Sequence, residues 1–141
     1  MAVKSADWLQ AQYSVLGSAL LESDLVPRVL TETSVQDYSG ACRTVYTALH
    51  QLFSAGKPID VVAVADMLGE KYHNFLADLM RITPSAANVD YYIETCKEQS
   101  KVLALRDLGV DLTQVESRDQ AQQLLDQANA LMAQRPRFQA V

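Results

Sequence analysis

Asn88-Val89-Asp90-Tyr91-Tyr92-Ile93-Glu94-Thr95-Cys96-Lys97-Glu98-Gln99-Ser100-Lys101-Val102-Leu103-Ala104-Leu105-Arg106-Asp107-Leu108-Gly109-Val110-Asp111-Leu112 is the stretch that decides the fold. Val89, Tyr92, Ile93, Cys96, Leu103 and Val110 recur at helical spacing, and no alternation of the strand type competes with them. The run predicts one helix of about six turns, in which Gly109 is the weak point. Ser117-Arg118-Asp119-Gln120 then carries the capping-box pattern, where a serine and a glutamine three residues later satisfy the free amides of a new helix. That helix turns Ala121, Leu124, Leu125, Ala128, Leu131 and Met132 to one face and stops before Pro136. Two long helices joined by so few residues must lie antiparallel. Residues 88–135 are therefore expected to form a helical hairpin, and 136–141 the start of a linker or tail.

Residues 1–87 read as shorter helices of a globular subdomain. The first helix begins near Asp7 and ends after Leu21, with Leu9, Tyr13, Leu16 and Leu20 on an apolar face beside Val15 and Ala19. Gly17 within that face predicts the close passage of a neighbouring helix. A second helix starts from Asp24 with Pro27 in its first turn, where proline costs no hydrogen bond. Ser39 is placed to cap a third, whose stripe is Cys42, Val45, Tyr46, Leu49 and Phe53 and whose stop is Gly56. Pro58-Ile59-Asp60 leads into a fourth helix carrying Val61, Val64, Ala65 and Leu68, closed by Gly69. A fifth carries Phe75, Leu76, Leu79 and Met80 and ends at Thr83-Pro84. The fold class is all-α, a small globular helical bundle followed by a long antiparallel helical hairpin.

The chain has 141 residues, 49% of them hydrophobic and 21% charged, which is the composition of one folded domain. Its net charge is −5 and neither half is basic, so tight nucleic-acid binding by this domain alone is disfavoured. No apolar run reaches the ~20 residues of a membrane span, and no secretory signal opens the chain, so a cytoplasmic location without membrane contact is expected. Cys42 and Cys96 lack metal or redox spacing and are expected to be reduced, buried thiols.

Catalytic patterns are missing. Gly56-Lys57 is followed by Pro58 where a phosphate loop needs Ser or Thr, and no Gly-x-Ser-x-Gly elbow is present. His50 and His73 lie on different predicted helices without ligand partners, so no metal is expected. Glu94 with Glu98 and Asp107 with Asp111 are one turn apart but interleave with Lys97, Lys101 and Arg106, the pattern of a solvated face. No catalytic, metal or cofactor-binding residue is assigned. One feature points to a partner. Leu105, Leu108, Leu112 and Val115 form a second stripe, turned away from Leu103 and Val110 at about 100° per residue. If Leu103 and Val110 meet the hairpin's second helix, this stripe either packs back on the globule or binds another protein.

Three segments together resemble the N-terminal domain of the DnaB-type bacterial or phage replicative DNA helicase. They are Ala11-Gln12-Tyr13-Ser14-Val15-Leu16-Gly17-Ser18-Ala19-Leu20, Gly56-Lys57-Pro58-Ile59-Asp60, and Thr83-Pro84-Ser85-Ala86-Ala87-Asn88-Val89 followed by Tyr92. The resemblance runs from about Ala11 to about Met132. Two departures stand out. The family usually has His where Cys42 stands, and a longer glycine-containing insertion where this chain has Gly69-Glu70-Lys71-Tyr72-His73. The resemblance implies a non-catalytic collar that self-associates as a dimer, or as a trimer of dimers in a hexamer, and on which primase and a helicase loader dock. DNA would be met only through the full-length ring. ATP and magnesium belong to the family's motor domain, which would follow Val141. A free-standing helicase-binding regulator and the similarly folded helicase-binding C-terminal domain of a primase are the alternatives, and Thr83-Pro84-Ser85-Ala86-Ala87-Asn88 favours the helicase.

Overall fold

The computed structural model describes residues 5–83 and 86–133, and among them there is no strand. Seven α-helices follow in order: α1 (Ser5–Leu21), α2 (Val26–Glu32), α3 (Gly40–Ser54), α4 (Val61–Leu68), α5 (His73–Ile82), α6 (Val89–Leu112) and α7 (Arg118–Ala133). Short 3-10 turns lie at Ser23–Leu25, Val35–Asp37 and Glu70–Tyr72. The all-α class expected from the helical period is thus observed. Pro84, Ser85 and the stop and tail expected at 136–141 lie outside the described residues.

α1 is the axis of the globule, packed against α3, α5 and α6. Because neighbours surround it, burial runs most of the way round the helix. Val15, Leu16 and Ala19 are sealed, and so are the polar Gln12 and Ser18. Leu9, expected on the apolar face, is instead exposed near the start of the helix. Gly17 answers the expectation of a close neighbour. A Cβ there would stand 2.5 Å from the Leu79 carbonyl oxygen and closer still to Thr83 Oγ1, so only hydrogen fits where α5 crosses.

Gln12 shows how a polar side chain is tolerated in this core. Its Oε1 accepts from the Ser39 amide at 2.7 Å and its Nε2 donates to Ser39 Oγ at 3.1 Å. The buried amide thereby has partners, as burial requires. Ser39 does stand at the N-cap of α3, but its side chain caps none of α3's own amides. Further along, Cys42, Val45, Tyr46 and Leu49 are buried as expected, whereas Leu52 takes the inward place in the last turn and Phe53 is 47% exposed. Tyr46 stacks on the sealed Tyr38 at 4.6 Å between centroids, and its hydroxyl donates to the Thr33 carbonyl at 3.0 Å.

The remaining punctuation follows the residues that prescribe it. Pro27 sits in the first turn of α2. The Asp60 carboxylate accepts from the Ala63 amide at 2.7 Å and starts α4. Gly69 ends that helix at φ +89°, a region L side chains avoid. In α5, Leu76 and Leu79 are buried and Phe75 meets Tyr13 edge-on.

Candidate interaction surface

α6 belongs to both parts of the molecule. Val89, Ile93 and Cys96 are buried in the globule's core cluster. Beside them the Val35–Asp37 turn makes a polar joint. The Asp37 carbonyl accepts from Trp8 Nε1 at 3.1 Å and from the Cys96 thiol at 3.0 Å. Its carboxylate accepts from Ser100 Oγ at 2.5 Å and from the Ser34 amide at 2.9 Å. Arg28 of α2 pairs with Asp90 at the start of α6 and, at 2.7 Å, with Glu32. Asn88 holds the N-cap position but makes no capping bond with its side chain, so α6 is positioned by these contacts from outside it.

The acids and bases of α6 do not form the uniformly solvated face their spacing implied. Glu98 pairs with Lys101 at 3.0 Å and Glu94 approaches Lys97 at 3.9 Å, yet Glu94 and Lys101 are both buried. α6 packs against α1, and these two charged side chains lie under cover. Asp107 and Asp111, beyond the globule, are exposed as expected.

Past Lys101, Leu108 is the one buried position among the described residues. Here one of the two expected contacts fails, while Leu103 stays half-buried in a cleft that Leu131 of α7 also lines. Leu108 is 9% exposed and Leu105, Leu112 and Val115 are half-buried, whereas Val110, expected to meet the second helix, is 58% exposed. On α7, Ala121, Leu124, Ala128 and Leu131 are half-buried with the same spacing of three, four and three residues. Two such stripes brought together antiparallel form a seam of the coiled-coil type. Of the stripe Leu105, Leu108, Leu112 and Val115, the buried Leu108 lines a groove with Gln127, Ala130 and Leu131 of α7, and the other three are half-buried. The hairpin turn follows the sequence closely. Ser117 Oγ accepts from the Gln120 amide at 3.1 Å, and Gln120 Oε1 accepts from the Glu116 amide at 2.8 Å.

Two concavities flank this seam on the globule side. A cleft of about 770 Å³ separates the globule from the hairpin, with Trp8, Asp37 and Arg43 on one wall and Ser100, Leu103 and Leu131 on the other. A groove of about 400 Å³ continues between α6 and α7 over Ala104, Leu108, Ala130 and Leu131. On the opposite flank Leu125 is 45% exposed and Met132 68% exposed. α7 buries no residue at all. The described residues hold no group of three or more His, Cys, Asp and Glu side chains suited to a metal. Cys42 and Cys96 are free and buried, as expected. Burial pushes the Cys42 thiol up to about 12 and the Cys96 thiol higher, so both stay protonated at neutral pH and are poor nucleophiles.

Residues 6–98 match the family model described as the DnaB-like helicase N terminal domain. The chain belongs to that family. DnaB-like domains of known sequence and structure extend the match. The chain is 32% identical over 134 residues to the replicative DNA helicase DnaB of Leifsonia xyli, covering 89% of this chain and 29% of that protein. It is 32% identical over 114 residues to the replicative DNA helicase DnaB of Mycobacterium leprae, covering 75% of this chain and 19% of that one. In structure it resembles the crystallised N-terminal domain of DnaB helicase from Mycobacterium tuberculosis, with a TM-score of 0.72, 31% identity, and coverage of 88% of this chain and 94% of that one. The chain thus spans less than a third of the length of these curated DnaB relatives. Among the described residues no helix is long and apolar enough to cross a membrane.

The hairpin and the close crossing at Gly17 are legible in the sequence, whereas the roles of Gln12, Asp37 and Ser100 are not. Gln12 lay inside the quoted opening helix, where a lone glutamine between Ala11 and Tyr13 is a polar break in an apolar face. Asp37 follows Ser34 by three residues, a capping-box spacing that could have marked the turn. Its contact with Ser100 spans 63 residues and leaves no local trace.

Proposed function

We propose that this domain is the non-catalytic collar of a DNA replication helicase, a scaffold that helps assemble the ring and docks primase. The observation that carries the reading is the hairpin's incomplete burial beside a globule with a sealed core of its own. Val110, Leu125 and Met132 are open to solvent on a two-helix element that buries only Leu108 beyond Lys101. Exposed aliphatic side chains at helical spacing are a ready contact for another helix, and each contributes roughly 1.5–3 kcal/mol on burial before association costs are subtracted. Family membership supplies the context, a replicative helicase, and with it a cytoplasmic setting.

Self-association through the hairpin comes first, with the open edges of Leu105, Leu112 and Val115 contributing beside the more exposed residues. Primase, through its helicase-binding domain, would meet the same collar, and a helicase loader is a further partner. DNA would be engaged through the assembled ring, because the net charge of −5 disfavours tight binding by the domain itself. ATP and magnesium would serve a motor domain and not these residues.

The test is light scattering on the purified chain together with the double variant Leu125→Asp, Met132→Asp. The parent is expected to form dimers or larger species, and the variant to keep its helical circular dichroism while losing them. A primase helicase-binding domain titrated against both should bind the parent alone or more tightly. A parent that stays monomeric and ignores primase would reject the collar reading.

A further inference from the structure

The cleft between globule and hairpin and the groove between α6 and α7 form one continuous depression, since Ala104, Asp107 and Leu131 line both. Its two ends differ in chemistry. The groove end is floored by Leu108, Ala130 and Leu131 and is lined by no cation. The cleft end is lined by Arg43, Lys97 and the buried Lys101. Joined concavities of about 770 and 400 Å³ leave room for several residues of a peptide.

The charges lining the depression are not equally engaged. Glu32 pairs with Arg28 at 2.7 Å, and the Asp37 carboxylate accepts from the Ser34 amide and from Ser100 Oγ. Lys101 is matched by Glu98 at 3.0 Å. Arg43, in contrast, donates through Nε to the carbonyls of Val35 and Tyr38, which hold the guanidinium in place without neutralising it. Lys97 comes no closer than 3.9 Å to Glu94, beyond hydrogen-bond length. An arriving chain therefore meets positive charge at the cleft end and an apolar floor at the groove end. Between them the exposed Asp107 turns acids away, which sets the direction of the chain.

We propose that this depression binds a short acidic peptide segment of another protein, whose carboxylates meet Arg43 and Lys97 and whose following apolar residues lie over Leu108 and Leu131. The net charge of −5 repels such a segment elsewhere, so these local cations must hold it. The site lies within one copy and does not depend on self-association. Trp8, the single tryptophan of the chain, lines the cleft with its indole nitrogen fixed on the Asp37 carbonyl at 3.1 Å, and it reports occupancy.

The probe is an acetylated and amidated peptide of three aspartates followed by leucine and phenylalanine, titrated into the full chain and followed by Trp8 emission and by calorimetry. It is expected to bind, to shift the emission, and to weaken as salt is raised. A peptide with asparagines for the aspartates, and one with alanines for the leucine and phenylalanine, should each bind about tenfold more weakly. Arg43→Gln and Lys97→Gln should each weaken the parent peptide about fivefold with circular dichroism unchanged. If either variant misfolds, the peptide series alone decides. Absence of binding, equal binding of the asparagine peptide, or an affinity that both folded variants leave unchanged overturns the proposal. So does pyrophosphate or ATP binding as tightly as the peptide, since the cations would then serve a phosphate ligand.

Discussion

In the globule, Val15, Leu16, Val26, Val29, Val45, Leu49 and Val64 are sealed from solvent, whereas α7 runs through sixteen residues without burying one. The two glycines within these helices show the same contrast. Gly17 is boxed in by Leu79 and Thr83, and Gly109 has open space around it. A core closed on all sides needs no partner to be stable, and it tolerates no added atom. A two-helix hairpin has one seam and two outer flanks, so side chains such as Leu125 and Met132 stay exposed.

The largest effect that would test this contrast comes from Gly17. Gly17→Leu must displace the backbone of α5 and not merely a flexible side chain, so a loss of roughly 3 kcal/mol or more is expected in urea denaturation. Gly17→Ala should already cost on the order of 1–3 kcal/mol, while Gly109→Ala should be neutral or stabilising in the monomer. Equal effects at the two positions would erase the distinction between closed core and open hairpin.

Next in size is Gln12→Leu. It leaves the Ser39 amide without its acceptor inside the globule, and a cost of about 1–3 kcal/mol is expected. Ser117→Ala removes the cap of α7 at an exposed turn, with an expected cost of about 1 kcal/mol. Hydrogen exchange sharpens the difference. The first variant should raise exchange throughout the globule, and the second only in α7 and the turn.

A further effect is a pH dependence. The Cys42 and Cys96 thiols titrate higher in the fold than in the unfolded chain, because burial penalises the thiolate. The folded state therefore holds more protons above the unfolded thiol value of about 8.5, and stability falls as pH rises from there towards 12. The melting temperature should be lower at pH 10 than at pH 7.5, and this slope should flatten in a Cys42→Ala, Cys96→Ala variant. Native chain at pH 8.5 should resist a thiol-reactive dye that labels both cysteines in urea. Rapid labelling of the folded protein would show that the core around α3 and α6 opens as readily as the hairpin.

Local chemistry was enough to place the helices, since caps, prolines and glycines act within a few residues of themselves. Asp60, Pro27, Ser117 with Gln120, and Gly69 all sit where those rules put them. The helical period identifies a second apolar stripe at Leu105, Leu108, Leu112 and Val115, and the opening helix announces a close crossing at Gly17. What a stripe faces is a different question. Periodicity defines the angle between two faces of one helix and says nothing about which neighbour lies on either side, so it does not reveal that Leu108 lies beside α7 while Val110 is exposed. Phe53 and Leu52 exchanged places for the same reason. The Asp37 joint, the Gln12 link to Ser39 and the burial of Glu94 and Lys101 join residues far apart in sequence or on separate elements. Only the tertiary arrangement decides such contacts, because a hydrogen bond or a buried charge depends on distances that the chain acquires after its helices have packed.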